Sequence, residues 1–368
     1  MPEWNADVLD SLELRSQRLC LRRWEAADAQ AVERIMADPR MTEFLPLPRP
    51  YTRADADAFV TGAGARPADA GRLELAITAG GAVVGAIGMS LPSTDRPAGI
   101  GYWVGSDHWG SGYATEATRA LAEFAFAHGV HRIGIQADIA NLASIRVALR
   151  AGFRFEGVAR LSRRSQHGLA DHAILARLAS DSGAPVPPTW PPPPELSDGT
   201  VLLRPTRPED WPTVHAESTN PEALRWGFFE TAMPERAAVE RSRVAGMNWL
   251  VGRSVDLLLC DAETGEGAGG INLRWVGPPD VLGIGYGVLP QFRGRRFTSR
   301  ALDLVAAWAF EHTSIVRLEL GCKADNVASA RSAERAGFVR DGRLASRLRN
   351  PDGSYSEEIS FARVRPAT

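Results

Sequence analysis

Lysine is almost missing from this sequence: of 42 basic residues only Lys323 is a lysine and the rest are arginine. A phosphate-binding loop of the form GxxxxGK[ST] therefore cannot be built. Cysteine is nearly as scarce. Cys20, Cys260 and Cys322 form no CxxC pair and have no nearby histidine partner, which argues against a disulfide framework and a zinc site. His108, His131, His167 and His172 likewise show no metal-ligand spacing, so no metal is expected. No apolar run approaches the roughly 18–20 residues needed to cross a bilayer. The first twenty residues carry Glu3, Asp7, Asp10 and Glu13 in place of an apolar signal core. Neither sign of charge dominates: 42 basic residues against 44 acidic ones leave a formal net charge of -2, which argues against a nucleic-acid partner. These absences predict a cytoplasmic protein with no membrane and no nucleic-acid partner.

What is abundant is glycine and proline, 35 and 25 residues in a chain of 368. That length exceeds the roughly 100–200 residues of one domain and predicts two. Seven prolines between Pro185 and Pro194 mark the joint. Such a run cannot continue a helix or a central strand and favours extended geometry, so residues 181–199 read as a semi-rigid linker between domains 1–180 and 200–368. The two pieces repeat each other. Leu19-Cys-Leu-Arg22 answers Val201-Leu-Leu-Arg204, Gly99-Ile-Gly-Tyr-Trp-Val104 answers Gly283-Ile-Gly-Tyr-Gly-Val288, and Asn141-Leu-Ala-Ser144 answers Asn326-Val-Ala-Ser329, at offsets of 182 to 185.

Within the first copy the periodicity alternates between strand and helix. Strands are expected at Leu19–Arg22, around Leu73–Ile77 and Val83–Met89 with a Gly80-Gly81 turn between them, at Ile100–Val104 and at Arg132–Ala137. Helical segments run to about Gly62, then from about Ala114 to His128 and from Ala143 to Arg150, and a final hairpin turns near His167-Gly168. The fold class is mixed α/β, with a largely antiparallel central sheet flanked by helices, used twice.

The chemistry is concentrated at His108-Trp-Gly-Ser-Gly-Tyr-Ala-Thr-Glu-Ala117, between a strand and a helix start. Unpaired N–H groups in the first turn of a helix make an anion site, and glycine lets a phosphate reach the backbone. The plain alternative is a tight turn that needs glycine for its own geometry. A dinucleotide fingerprint is excluded because Thr115 stands where the third glycine belongs and about eighty residues precede the strand.

Trp109-Gly-Ser-Gly-Tyr-Ala-Thr-Glu-Ala117, followed by His131-Arg-Ile133, Asn141-xx-Ser144 and Gly152-Phe153, resembles the GNAT superfamily of acyl-CoA-dependent N-acetyltransferases, and within it the RimJ/RimL-like branch. The resemblance spans nearly all of each half and implies two GNAT domains in one chain, with acetyl-CoA as cofactor. Asp107 replaces the Gln or Arg that usually leads the loop. By resemblance, Tyr102, Trp103 and Val104 lie on a splayed strand whose backbone pairs with the pantetheine arm and polarises the thioester carbonyl. Trp109, Gly110, Ser111, Gly112, Tyr113, Ala114 and Thr115 form the pyrophosphate cradle. Asn141 hydrogen-bonds pantetheine, and Ser144 sits near the sulfur as the acid for the leaving thiolate, because Ala148 occupies the position where many relatives carry tyrosine. Asp138, at a strand end, is a possible base, with a solvated strand-end carboxylate as the alternative. Glu43 and Phe44 fall in the region that forms the acceptor wall, and Phe44 reads equally well as core.

The second half reads Gln291-Phe-Arg-Gly-Arg-Arg-Phe-Thr-Ser299 at the loop. Gly294 is kept, but Arg296 replaces the second glycine or alanine. An ordinary backbone angle is expected there, with the bulk of arginine against the pyrophosphate. Arg293, Gly294, Arg295, Arg296, Phe297, Thr298, Asn326 and Ser329 are the corresponding candidates, and the three arginines could equally draw phosphates in. The expectation is a catalytic first copy and a weak or silent second one, acetylating a primary amine of a small molecule or a peptide N-terminus. Two alternatives are an acyl-CoA-binding regulatory or scaffold protein without turnover and a chain active in both halves. A monomer acting as an internal pseudo-dimer and a homodimer are both compatible with the fusion.

Overall fold

The structure, a computed structural model, describes residues 6–45, 47–64, 71–93, 97–165, 168–186, 188, 191, 195–227, 231–278 and 280–366. The chain falls into two compact units, Met1–Pro187 and Pro188–Thr368.

The first unit runs α1 (Ala6–Asp10), β1 (Glu13–Arg15), β2 (Cys20–Arg22), α2 (Ala29–Met36), α3 (Arg53–Ala63), β3 (Arg72–Ala79), β4 (Ala82–Ser90), β5 (Ala98–Val104), α4 (Tyr113–Ala127), β6 (Arg132–Asp138), α5 (Leu142–Arg150), β7 (Arg154–Ser165) and β8 (Gly168–Leu178). Its described strands form one sheet in the order β1-β2-β3-β4-β5-β6-β8-β7. Every neighbouring pair is antiparallel except β5 and β6. Six consecutive residues of β3 and seven of β4 are buried. A strand buried on both faces reads as a continuous apolar run, and helices must cover the sheet on each side. Helix α4 buries Ala117, Leu121, Ala122 and Ala125 along one stripe, the 3–4 spacing that its sequence displays.

The expected strands and helices are all present within a few residues. Elements α1 and β1 are additional; both are short and lack a periodic signal. The turn at His167 lies outside the described residues, between β7 and β8. The span expected as a linker contributes at both ends: the N–H of Val186 donates to the Leu149 carbonyl at 2.8 Å, Gly183 packs against Gly152, and Leu196–Ser197 forms an edge strand.

The second unit repeats the plan as β9 (Leu196–Ser197), β10 (Val201–Pro205), α6 (Trp211–Thr219), α7 (Pro221–Trp226), α8 (Glu235–Leu250), β11 (Ser254–Asp261), β12 (Gly267–Trp275), β13 (Val281–Val288), α9 (Phe297–His312), β14 (Arg317–Lys323), α10 (Val327–Arg335), β15 (Val339–Arg349) and β16 (Tyr355–Val364). The sheet order is β15-β16-β14-β13-β12-β11-β10-β9, with β13 and β14 as the parallel pair.

One corner recurs in both units. Arg22 at the end of β2 forms two hydrogen bonds with Asp28, at 2.8 and 2.9 Å, and Arg204 does the same with Asp210 at 2.7 Å twice. Asp28 also accepts the N–H of Glu25 at 2.9 Å, which fixes the entry into α2. Burial alone would raise the Asp28 carboxyl, but Arg22 and the Glu25 N–H together hold it below the usual carboxylate range. A depressed folded-state pKa means that the contribution is complete above the unfolded value near pH 4 and is lost as pH falls through the folded one. Asp28→Ala is expected to destabilise the first unit by about 3 kcal/mol at pH 7. Urea unfolding at pH 7 and at pH 3 measures this, and the two proteins should differ much less at the lower pH.

Candidate functional site

The parallel pair is the origin of the site. β5 and β6 pair only at Ala98↔Ile133 and Gly99↔Gly134, and beyond those residues the strands diverge. β5 stays bonded to β4 as far as Val104, and the N–H of Gly105 donates to the Val84 carbonyl at 2.9 Å. Backbone groups alternate between edges along a strand, so the N–H groups of Tyr102 and Val104 face away from β4, into the wedge. The second unit is built alike: β13 and β14 pair from Val281↔Arg317 to Gly283↔Glu319, and the N–H of Leu289 donates to the Ala268 carbonyl at 2.8 Å. That bond turns Tyr286 and Val288 toward the wedge. A segment that extended could align along either open edge.

At the mouth of the first wedge the chain turns through Gly110 and Gly112, both in the left-handed region at φ 78° and 81°. The first backbone bond into α4 is Glu116 N–H to the Gly112 carbonyl at 3.0 Å. The N–H groups of Tyr113, Ala114 and Thr115 precede it and have no carbonyl partner, the usual state of a helix start and a cradle for an anion. Trp109 is 53% exposed, and its indole N–H donates to the Val104 carbonyl at 2.8 Å, clasping the loop to the end of β5.

A clamp that the sequence reading missed holds this loop in place. Arg18 donates from its backbone and Nε to Glu116 at 2.8 and 2.7 Å, and from Nη1 to the Ser111 carbonyl at 2.9 Å, while the Ser16 hydroxyl adds 2.8 Å to the same carboxylate. Burial works against the Glu116 anion, but these donors hold its pKa below the ordinary value. The second unit makes the same bridge with the charges exchanged, Arg300 on α9 donating to Asp198 at 2.6 Å.

Opposite the loop, Asn141 caps α5, its Oδ1 accepting the Ser144 N–H at 3.0 Å. The Tyr102 hydroxyl donates to the Ser144 carbonyl at 2.9 Å and lies 3.0 Å from Ser144 Oγ. Burial pushes the Tyr102 phenol far above its usual range, so it stays protonated throughout the physiological window. The second unit pairs Tyr286 with Ser329 Oγ at 2.7 Å, burial pushing that phenol up to about 12, and Asn326 accepts the Ser329 N–H at 3.1 Å. The hydroxyl pair was missed because its members lie 42 residues apart; the only signal was the Gly-Tyr dipeptide repeated at Tyr102 and Tyr286.

The remaining candidates take the following places. Asp138 ends β6 with its carboxylate on the Ala140 N–H at 2.9 Å, a local turn bond. Glu43 and Phe44 are exposed, and among the described residues no hydrogen bond joins Glu43 to the cleft. Arg296 corrects the expected backbone angle: it sits at φ 63°, ψ 19°, in the left-handed region that Gly112 occupies in the first unit. The loop geometry survives because the arginine adopts the glycine's angle, at a cost of about 1–2 kcal/mol. The other loop arginines are engaged, Arg295 with Asp261 at 2.6 Å and Arg293 with Glu222 at 3.0 Å. Phe297 is buried beneath the loop and Thr298 lies at its edge. Among the described residues no cluster of three metal-ligating side chains occurs, and no helix is long and apolar enough to cross a membrane.

A splayed parallel pair, a glycine turn at a helix start and a hydroxyl pair, all present twice, agree with the similarity to known proteins. The Acetyltransferase (GNAT) domain matches residues 18–154 and 200–339, so the chain belongs to the GNAT acetyltransferase family and carries its domain in tandem. It is similar to the uncharacterized N-acetyltransferase p20 of Bacillus licheniformis, 27% identical over 176 residues that make up 45% of this chain and 95% of that protein. It is also similar to the putative ribosomal N-acetyltransferase YdaF of Bacillus subtilis (strain 168), 33% identical over 115 residues, 30% of this chain and 63% of that protein. Among solved structures, Mycobacterium smegmatis RimJ in complex with CoA-disulfide is 26% identical over 46% of this chain and 86% of that one, with a TM-score of 0.42.

Because Arg18 and Glu116 set the loop without reaching the wedge, Glu116→Ala is expected to raise the KM for the acyl donor about tenfold and to change kcat less than twofold, on the scale of a partly buried charge-assisted contact. Steady-state kinetics with acetyl-CoA as the varied substrate reads the two apart; an equal loss in both would contradict the assignment.

Proposed function

We propose that the first unit transfers an acetyl group from acetyl-CoA to a primary amine, by direct attack of the amine on the thioester. The observation that carries this is the wedge between β5 and β6, with N–H groups turned into it, a helix-start cradle at its mouth and the Tyr102–Ser144 hydroxyls beside it. When bound, acetyl-CoA would supply the activated acyl group. The N–H groups from Gly110 to Thr115 would hold its pyrophosphate, with Trp109 closing the loop. Tyr102, Trp103 and Val104 would present backbone groups to the pantetheine arm and an N–H to the thioester oxygen, where negative charge grows as the amine adds. Asn141 would bond pantetheine through its amide. Ser144, hydrogen-bonded to a tyrosine that stays protonated, would deliver a proton to the thiolate, which needs modest help because a free thiol titrates near 8.5.

The acceptor is a peptide N-terminus or a small molecule amine. The similarity to a putative ribosomal N-acetyltransferase supports the first. So does the acceptor face of β5, where Trp24, Phe59 and Trp103 pack with ring centroids 5.3 to 6.4 Å apart and the carboxylate on the same face, Glu74 against Gly88, is paired with Arg72. An α-amine, with a pKa of about 7.7–8.0, is already about one part in seven neutral at pH 7 and does not depend on a strong base. Asp138 as a base and Glu43 and Phe44 as acceptor contacts are subordinate elements of this reading. The domains proposed are residues 1–180 and 200–368.

Gly112→Arg is expected to lower acetyl transfer to the α-amine of alanyl-phenylalaninamide at least a hundredfold, whereas Arg296→Gly should leave it within twofold. Free-thiol release coupled to mass spectrometry of the peptide measures both, and undiminished transfer by the Gly112→Arg chain would move this reaction out of the first unit.

A further inference from the structure

The two units differ where the acceptor would stand. Through an ungapped offset of 182 residues, Trp24 corresponds to Thr206, Ile35 to Glu217 and Phe59 to Arg241; after the β3–β4 turn the offset is 184, and Trp103 corresponds to Gly287. Asp38 and Asn220, which cap the following turns in each unit, and Gly85 and Gly269, which pair with Val104 and Val288, confirm this register. In the first unit these four positions carry apolar side chains, three of them the aromatic cluster above β5. In the second unit Thr206, Glu217 and Arg241 instead line a small cavity with Asp256, Gly270 and Ile271. The cavity has room for about one water-sized group, which is also the size of an ammonium.

Glycine makes the exchange possible. A Cβ on Gly287 would collide with the Glu217 carboxylate, and one on Gly270 would lie 3.1 Å from it. The carboxylate therefore rests directly on the backbone of β12 and β13. Asp256 is engaged, accepting from Arg241 at 3.2 Å, Asn272 at 3.0 Å and Ser254 at 2.9 Å. Among the described residues no hydrogen-bond donor reaches the Glu217 carboxylate. Burial pushes its pKa up to about 7; Arg241 on α8 opposes that rise and Asp256 on β11 adds to it, while β12 and β13 place Gly270 and Gly287 against it, with Asn272 and Arg274 further along the same face of β12.

Its position on the strand matters as much. Tyr286 sends its side chain to Ser329 on one face of the sheet, so Gly287, the next residue, faces the opposite side. Glu217 stands on that opposite side, between the two residues whose N–H groups enter the wedge. A thioester carbonyl held there would have hydroxyls for its sulfur on one face and a free carboxylate for the attacking nitrogen on the other.

We infer that the second unit contains its own acceptor subsite, for the ammonium group of a strongly basic primary alkylamine, and that Glu217 is the base that deprotonates it. This inference rests on the reading of the wedges as acyl-CoA sites. One proton passes from R–NH3+ to the Glu217 carboxylate; the nitrogen then forms its bond to the thioester carbon as the carbon–sulfur bond breaks, and the second nitrogen proton ends on the CoA thiol. An alkylamine with a pKa of about 10.4 is neutral in only about one part in 2,500 at pH 7, so a carboxylate placed for the transfer is needed here.

The test uses the full chain carrying Gly112→Arg, with butylamine, putrescine and N-α-acetyl-lysinamide as acceptors and calorimetry for acetyl-CoA binding. Transfer to at least one of these amines is expected, with kcat/KM rising through an inflection near pH 7 as Glu217 ionises. Adding Glu217→Gln should lower kcat at least tenfold and remove that inflection while leaving acetyl-CoA affinity unchanged. The same loss on these amines is expected from Glu217→Gln alone, which removes any dependence on how the arginine variant folds. A chain that binds acetyl-CoA but acetylates none of the three, or a Glu217→Gln protein that keeps its rate and inflection, overturns the inference and leaves the wedge reading standing. Loss of acetyl-CoA binding from the unmodified chain would overturn both.

Discussion

Two parallel strands that stop bonding to each other after a few residues are the constraint on which each unit is organised. A buried backbone N–H without a partner costs free energy comparable to a lost hydrogen bond, so a sheet that opens in its middle must offer that edge to water or to a ligand with extended, hydrogen-bonding geometry. Everything around the opening holds it in shape. β4 fixes one wall through Val104, β8 fixes the other along the whole of β6, and the Arg22–Asp28 corner ties the outer strand to the helices above. The helix start, the clamp at Glu116 and the Asn141 cap then converge on the mouth of a gap whose edges cannot close.

The duplication shows which parts of this arrangement tolerate change. The contact between hydroxyls is kept, Tyr102 with Ser144 and Tyr286 with Ser329, and so is the asparagine cap. The clamp is kept as an interaction but not as a sequence, since the acid and the base trade places between Arg18–Glu116 and Asp198–Arg300. The loop is kept as a backbone path, with Arg296 held at an angle that favours glycine. Three levels of identity thus survive independently, while the loop gains arginines and the acceptor side exchanges its aromatic cluster for Thr206, Glu217 and Arg241.

Much of the fold could be read from the sequence because its signals are local. The strand periods, the Gly80-Gly81 hairpin and the glycine turn before α4 are each written within about ten residues, and each formed as expected. What escaped notice joins distant residues or depends on shape. Arg18 and Glu116 are 98 residues apart, and neither stands out alone. Glu43 was plausible by region, yet it is exposed, because its short turn packs Met41 inward and leaves the next residues outside. The angle at Arg296 differs from expectation because alanine at this position in relatives suggested an ordinary conformation, whereas the turn into the helix is left-handed with glycine in one unit and arginine in the other.

The acceptor faces follow from one exchange of volume. In the first unit Trp103 rises from β5 and meets Trp24 and Phe59, so the space beside the wedge is filled by ring edges, and the carboxylate on that face, Glu74, is paired with Arg72. Removing that indole at Gly287 opens a space that a neighbouring helix must fill. Glu217, partly buried, reaches into it from α6, and Arg241, standing where Phe59 does in the first unit, opposes the rise of its pKa. The same strand register that aims N–H groups into both wedges therefore places an apolar wall beside one and a proton acceptor beside the other. An amine that is partly neutral in water suits the first wall, and an amine that must lose a proton at the site suits the second.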